Sequence, residues 1–327
     1  MRHLLRRIGF YLVALWASIT LNFIIFRLAP GNPAEAIMAR FQGRMNPEAT
    51  QALLLQFGVT KDPLWVQYFQ YLNNILHGNF GLSVTYFPTP VSEVIGQELP
   101  WTLTLIGCSA LISFVLGTLI GVLIAWKRGS VLDSLLPPFL TFFSAIPYFW
   151  LALICLYVFA YTFNWFPLNG GYAIGLTPGL TPDFLGSVIQ HAILPGFTIV
   201  LSSIAGWLLG MRNTMITTLS EDYVLMAEAK GLSEQRVMFS YAARNAILPN
   251  VTGFALSLGF VVGGALLTEI VFSYPGIGFA LLQAVQNSDY PLLQGIFLLI
   301  AIGVLGANFL ADLVYTVLDP RVRQERG

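Results

Sequence analysis

A chain of 327 residues that is 56% hydrophobic and 10% charged falls far below the roughly 25% of charged residues that water-soluble domains carry. Its formal net charge of zero removes the basic footprint of a nucleic-acid binder. Two cysteines inside apolar runs, Cys108 and Cys155, and three scattered histidines, His3, His77 and His191, exclude a disulfide framework and a spaced metal-ligand set. The expectation is an all-α polytopic membrane protein solvated largely by lipid, with function to be sought in topology. In chain order, a basic start with Arg2, Arg6 and Arg7 leads into an apolar run over 8–28. That run exceeds the ~7–15-residue core of a secretory signal, so it reads as an uncleaved first span with its N-terminus in the cytoplasm. Further apolar runs follow at 103–125, 135–163, 192–211, 251–272 and 292–318. Each approaches or exceeds the ~20 residues that cross a hydrocarbon core about 30 Å thick. Pro147 would kink the longest of them.

Six transmembrane helices place both termini on one side, and the basic residues agree. Segments assigned inside carry Arg2, Arg6 and Arg7, then Lys127 and Arg128, then Arg212, Lys230, Arg236 and Arg244, then Arg321, Arg323 and Arg326. The outer loops 164–190 and 273–291 have no Lys or Arg. The positive-inside rule therefore gives N-in/C-in.

The resulting scheme has an N-terminal tail and first span over 1–29, a helical extracytoplasmic insertion over 30–102, and a core with five spans over 103–318. A cytoplasmic loop at 219–249 belongs to that core, and a cytoplasmic tail covers 319–327. In the insertion, Asn46-Pro47-Glu48 and Asp62-Pro63 each look like an N-cap followed by proline at the first helical position.

The span interiors are nearly free of charge. Arg27, Glu269 and Asp312 stand toward predicted ends, where long side chains snorkel, so ion coupling has little material to work with. The lysines are Lys61, Lys127 and Lys230, and none follows a glycine, so no P-loop is present. Neither HExxH nor GxSxG occurs. Small residues recur at packing intervals: Gly117 with Gly121, Gly206 with Gly210, and Gly259 with Gly263, the last followed by Gly264. That spacing favours close approach of helix backbones in lipid.

The longest polar interruption in the C-terminal half runs from Glu221 to Pro249. Ala227 to Lys230 favour helix, Gly231 can end one, and Ser233 with Arg236 can open the next. A folded hairpin results, too polar for lipid. A six-span protein without ion coupling or its own nucleotide site can borrow energy from a soluble ATPase through such a handle. The rival readings are an ion-coupled secondary transporter and a membrane-embedded enzyme or assembly factor.

These residues resemble the permeases of binding-protein-dependent ABC importers, in the dipeptide/oligopeptide/nickel group. The hairpin is similar to their "EAA" loop at Asp222-Tyr223, at Ala227-x-Ala229-Lys230-Gly231-Leu232, and at Arg244-Asn245-Ala246-x-Leu248-Pro249. Further matches are Leu5-Arg6-Arg7, Pro30-Gly31-Asn32-Pro33, His77-Gly78-Asn79-Phe80-Gly81-x-Ser83, and Glu269-x-x-Phe272-Ser273-Tyr274-Pro275-Gly276-x-Gly278. Asp289-Tyr290-Pro291 with Gln294-Gly295, and Asp319-Pro320-Arg321, complete them in order. Leu225 stands where the broader pattern has an acidic residue.

The resemblance implies a type I ABC importer permease fold in a prokaryotic inner membrane. It also implies pairing with a second homologous permease, two cytoplasmic ATPase subunits that use ATP and Mg, and an extracytoplasmic solute-binding protein. The chain itself would bind no cofactor. Asp222, Tyr223, Ala227, Glu228, Ala229, Lys230, Gly231 and Leu232 would dock in the ATPase. Among the family's solutes, di- and oligopeptides come first and oligosaccharides second. Nickel complexes come last, because the spans lack His and carboxylate ligands.

Overall fold

The computed structural model describes residues 2–28, 62–261 and 266–318. Asn46-Pro47-Glu48, Gly263, Gly264 and the 319–327 tail lie outside the described residues. Among those described, the regular structure is helical: α1 Arg2–Leu28, α2 Leu64–Leu76, α3 Val91–Trp126, α4 Val131–Ala145, α5 Tyr148–Cys155, α6 Pro182–Leu219, α7 Asp222–Ala229, α8 Leu248–Val261, α9 Leu266–Val271, α10 Ile277–Gln286 and α11 Tyr290–Leu318. Four of them are long and apolar enough to cross a membrane, namely α1, α3, α6 and α11. A fifth candidate is the pair Val131–Ala145 and Tyr148–Thr162, bent by 97° at Pro147. Within the expected run over 251–272, α8 extends to Val261 and α9 begins at Leu266, with 262–265 outside the described residues.

Length itself is informative. At about 1.5 Å per residue, the 36 residues of α3 and the 38 of α6 give rods of about 54 and 57 Å. Both overshoot a hydrocarbon core of about 30 Å, so their ends project beyond it and carry folded loops. α6 begins with Thr181 as N-cap, accepting from the Phe184 amide at 3.4 Å, and Pro182 at the first position. That arrangement suits proline, whose missing N–H would have been an orphan there.

The described residues form two compact units. The first contains α1, α2, the start of α3, α10 and most of α11. Val91, Val94, Ile277, Ala280, Ala284, Leu292, Leu293 and Ile296 form its buried cluster. The 77–90 loop is folded back on itself: Ser83 N–H donates to Thr89 C=O and Val91 N–H to Gly81 C=O, both at 3.0 Å. Asp289 is fully buried and holds that loop to the start of α11. Its Oδ2 accepts from Ser83 Oγ at 2.5 Å and from Thr85 N–H at 2.8 Å, while Oδ1 accepts from Leu292 N–H at 3.1 Å. A Cβ on Gly295 would lie 2.6 Å from Val91 Cγ1, so only glycine lets the first turns of α11 approach α3 there. Burial, with the Glu98 and Asp289 carboxylates adding, pushes the nearby Tyr86 phenol up to about 12.

α2 starts at Leu64 with Pro63 as its N-cap and no side-chain cap, one residue later than the Asp62-Pro63 pattern predicts. Asp62 contributes through its backbone carbonyl, which accepts from Gln67 Nε2 at 2.6 Å. On α3, Glu98 accepts from the Gly276 amide and Thr102 Oγ1 accepts from the Ile277 amide at 2.8 Å. Two residues one turn apart thus satisfy the start of α10.

The second unit holds the rest of α3, the bent pair, α6, the 219–249 loop, α8 and α9. Ile124, Leu140, Ile204, Ala205 and Leu208 form one buried cluster. α3 lies directly on α6 at its glycines. A Cβ on Gly117 would meet Trp207 Cβ at 2.7 Å and Ile204 O at 2.8 Å, and one on Gly121 would meet Leu208 O at 2.7 Å. On α6, Gly210 faces Asn250 Oδ1 at 2.7 Å from a built Cβ, whereas Gly206 has nothing within 4 Å. Gly259 lies in α8. Asn250, at the start of α8, donates to Trp207 C=O at 2.9 Å and Thr118 Oγ1 at 3.3 Å, tying α8, α6 and α3 through one buried amide.

Candidate functional site

The 219–249 loop is a small folded body. Glu221 is extended and precedes α7, which ends on Lys230. Gly231 then takes φ +71°, the left-handed conformation in which a Cβ is penalised. Its amide donates to Glu228 C=O at 2.8 Å and the Leu232 amide to Ala227 C=O at 3.4 Å. This pair of bonds is the Schellman ending, in which the residue after the glycine also packs back on the helix. Leu232 does so, against the cluster containing Ala227.

Ser233 reopens the helix with extended backbone and no side-chain cap. The chain continues helically through 234–246, with a π-helical stretch at Val237–Ala243. In a π-helix residues five apart share a face. Val237 and Ala242, and likewise Met238 and Ala243, are accordingly buried together. These four, with Val224, Ala227 and Ala246, pack on Val122 and Ala125 at the end of α3 and on Met211 and Met215 near the end of α6. The buried alanines let the two arms of the hairpin come close. Asn245 Nδ2 donates to Tyr223 Oη at 2.9 Å and closes the hairpin at its open end.

What stays outside is equally definite. Val224 and Ala227, three apart, face inward, so the rest of α7 is turned out. Asp222, Tyr223, Glu228, Ala229, Lys230 and Gly231 are exposed. So are Leu225 and Met226, at 50% and 58%. Two apolar side chains thus stand on the outer face of this short helix.

The same end of this unit carries most of its positive charge. Lys127 and Arg128 follow α3, Arg212 lies on α6, and Lys230, Arg236 and Arg244 stand on the loop. Arg212 Nε meets Asp133 Oδ1 at 2.6 Å, and Asp133 also accepts from the Gly129 amide at 2.9 Å. Ser130 Oγ in turn accepts from the Asp133 amide at 3.2 Å. This clasp fixes the turn between α3 and α4 against α6. Sequence reasoning took Arg212 only as a topological marker, although Ser130-x-x-Asp133 is a readable cap signal.

Of the predicted hairpin residues, Ala227 and Leu232 are turned toward the buried cluster while the other six are outward. No group of three or more His, Cys, Asp or Glu side chains that could hold a metal occurs among the described residues.

Comparison with known families agrees along nearly the whole chain. Residues 117–324 match the profile described as "Binding-protein-dependent transport system inner membrane component", and residues 1–105 match its N-terminal companion. A di/tripeptide transport system permease protein of Pseudomonas aeruginosa is 36% identical, with 98% of each chain covered. An oligopeptide transport system permease protein of Bacillus subtilis is 33% identical over 98% of each. A dipeptide transport system permease protein of Escherichia coli is 33% identical over the full length of both.

Proposed function

Because this multi-pass membrane chain belongs to the inner membrane components of binding-protein-dependent transport systems, we propose that it is a permease subunit of an ATP-driven importer of di- and oligopeptides. The relatives above are named for these solutes. In this reading six spans serve this function: α1, α3, the bent pair, α6, the 251–272 run and α11. Both termini are cytoplasmic in this reading, which is supported by the Lys and Arg residues of the segments assigned inside and by the lack of any in 164–190 and 273–291 of the sequence. The domain scheme is then a first span over 1–29, an outer insertion over 30–102, a core over 103–318 and an inner tail over 319–327.

The observation that carries the mechanism is α7: a helix closed by Gly231, standing on the ends of two long helices and turning Leu225 and Met226 outward. A soluble ATPase that grips this helix differently with and without bound ATP shifts the conformation of the attached spans, because coupling requires differential contact in the two states. Only Ser220 and Glu221 separate α6 from α7. Its buried face is continuous with α3 and α6, so displacement at the loop passes into the spans through packed side chains. Two ATPase subunits supply the nucleotide chemistry with Mg, an external binding protein delivers peptide, and a second homologous permease completes the path.

Reconstitution tests this. Purified with its ATPases, second permease and binding protein, the protein should accumulate labelled dipeptide inside proteoliposomes when ATP is supplied, with the proton gradient collapsed. Uptake that follows the proton gradient and ignores ATP would overturn the reading in favour of a secondary transporter.

A further inference from the structure

α2 is built the wrong way round for a helix in water. An amphipathic helix on a water-soluble domain turns its apolar stripe to the core. At about 3.6 residues per turn, Trp65, Phe69, Leu72 and Leu76 share one narrow face of α2. That face is open among the described residues: Trp65 is 67% exposed, Phe69 63% and Leu76 83%. Gln67, Gln70 and Asn74 occupy the opposite face, and this one is turned to the protein. With Arg27, Asn79 and Gln294 they line a cavity of about 520 Å³.

The side between these two faces is fastened to α1. Tyr68 Oη shares a hydrogen bond with Thr20 Oγ1 at 2.7 Å, and Tyr71 Oη accepts from Asn22 Nδ2 at 3.2 Å. Phe23 packs on both rings, with centroids 5.3 and 5.4 Å away. At about 1.5 Å per residue, Thr20 and Asn22 lie about 10 and 8 Å down α1 from Arg27. Around α2, Tyr68 is nearer the apolar stripe and Tyr71 nearer the amides. The order is consistent: the stripe side meets the deeper level of the span, and the amide side meets Arg27 at its end. Leu21, Ile24, Ile25 and Leu28 are exposed at that level of α1. Since α1 is long and apolar enough to cross a membrane, the stripe on α2 continues the surface with which this span meets lipid.

We propose that α2 is an interfacial helix lying in the bilayer surface at the end of α1, with Trp65, Phe69, Leu72 and Leu76 among acyl chains and its amide face toward the cavity and the outer water. The partner of this surface is the lipid itself. The depth fits, because such helices bury their apolar face about 5–10 Å into the headgroup and acyl boundary. Tryptophan in the first turn fits as well, since its ring settles at the membrane–water interface. α2 carries no charged residue, so it is held by apolar contact and the two tyrosine bonds rather than by attraction to anionic lipid. Anchored in this way, it fixes the height of the 77–90 loop above the membrane. That the leaflet is the outer one follows from the orientation proposed above; the immersion follows from α1 being a span and holds for either orientation.

Spin-label accessibility in the full chain tests this. In a background with Cys108→Ser and Cys155→Ala, one nitroxide is attached through Trp65→Cys, Phe69→Cys, Gln70→Cys or Asn74→Cys, all exposed positions, in nanodiscs of phosphatidylcholine. A monodisperse gel-filtration peak establishes that each variant is folded, and two positions on each face keep the comparison standing if one variant is lost. Collision with oxygen, which concentrates in lipid, is measured relative to collision with a water-soluble nickel chelate. That ratio should be about tenfold higher at 65 and 69 than at 70 and 74, with or without phosphatidylglycerol in the disc. Equal ratios on the two faces would overturn the proposal and leave the stripe in water for a protein partner. Stripe labels reached by neither probe would overturn it too, because protein then covers them. A contrast that appears only with phosphatidylglycerol would assign the attachment to Arg27 and not to the stripe, and would equally overturn it. None of these outcomes bears on peptide uptake, so the importer reading stands or falls separately.

Discussion

Two loops, one on each compact unit, are fastened to the ends of long helices by opposite means. The 219–249 loop is held by apolar side chains: Val224, Ala227, Val237, Met238 and three further alanines pressed on Val122, Ala125, Met211 and Met215. The 77–90 loop is held by one buried carboxylate, Asp289, which accepts from Ser83, Thr85 and Leu292. Apolar packing is non-directional, and a close-packed interior passes strain from one side chain to the next. Hydrogen bonds to a buried carboxylate are directional and fail abruptly when geometry is lost. The loop proposed to transmit force is thus mounted by close packing over a broad face, and the loop on the other unit is pinned by a few directional bonds.

The sharpest way to break that comparison is to remove each fastening in turn. Asp289→Ala leaves the Ser83 hydroxyl and the Thr85 and Leu292 amides without their acceptor in a dry site. With about 1–3 kcal/mol for each unmet buried group, the loss should be about 3 kcal/mol or more. It should appear as a marked fall in the unfolding temperature of the detergent-purified protein and as proteolysis within 77–90. Val224→Ala removes two methyl groups from the other fastening and should cost about 2 kcal/mol, with 77–90 still protected. An equal or smaller effect at Asp289 would mean that its bonds are not what pins the loop.

The two fastenings also differed in how visible they were. The 219–249 hairpin was readable because its code is local: Ala-rich helix, Gly231 at the stop and Ser233 at the restart all lie within a dozen residues. The Asp289 pin joins residues about two hundred positions apart (|i−j| of 206 for Ser83), and no local period announces it. Both partners did stand in stretches that resembled the importer family, but their meeting is a fact of the fold. The bend at Pro147 was foreseeable from proline alone, while its 97° angle was not. Likewise, Gly-xxx-Gly spacing marked Gly206 and Gly210 alike, although the first meets nothing and the second meets Asn250.

That last contrast yields an intermediate prediction about the helices beneath the 219–249 loop. Gly117→Ala drives a methyl to 2.7 Å from Trp207 Cβ and 2.8 Å from Ile204 O. Backbone cannot yield as a side-chain tip does, so α3 and α6 must separate, at about 1–3 kcal/mol. Gly206→Ala adds a methyl in open space and exchanges glycine for a better helix former, a gain of up to about 1 kcal/mol. Paired thermal unfolding curves should therefore move in opposite directions. If both move down together, the close contact at Gly117 is not what sets the spacing of these helices.

The smallest effects on stability, and the most telling for coupling, are expected at the end of α7. Gly231 has free space around a built Cβ but a φ of +71°, so any penalty for substitution comes from the backbone alone. Gly231→Val should cost about 1–2 kcal/mol locally, too little to unfold the protein but enough to unwind the Schellman ending and release Leu232. Gly231→Asn, which tolerates the left-handed region, should retain most function. The readout is the ratio of peptide transported to ATP hydrolysed in the reconstituted complex: low for the valine variant and near normal for asparagine, with membrane insertion equal in both. Lys230→Glu sets the baseline, because an exposed pair contributes under ~1 kcal/mol and the ratio should shift by less than about twofold. Should charge reversal at Lys230 uncouple the complex while Gly231→Val leaves it intact, the helix would be acting through its charge, and the mechanical role assigned to its packed face would have to be abandoned.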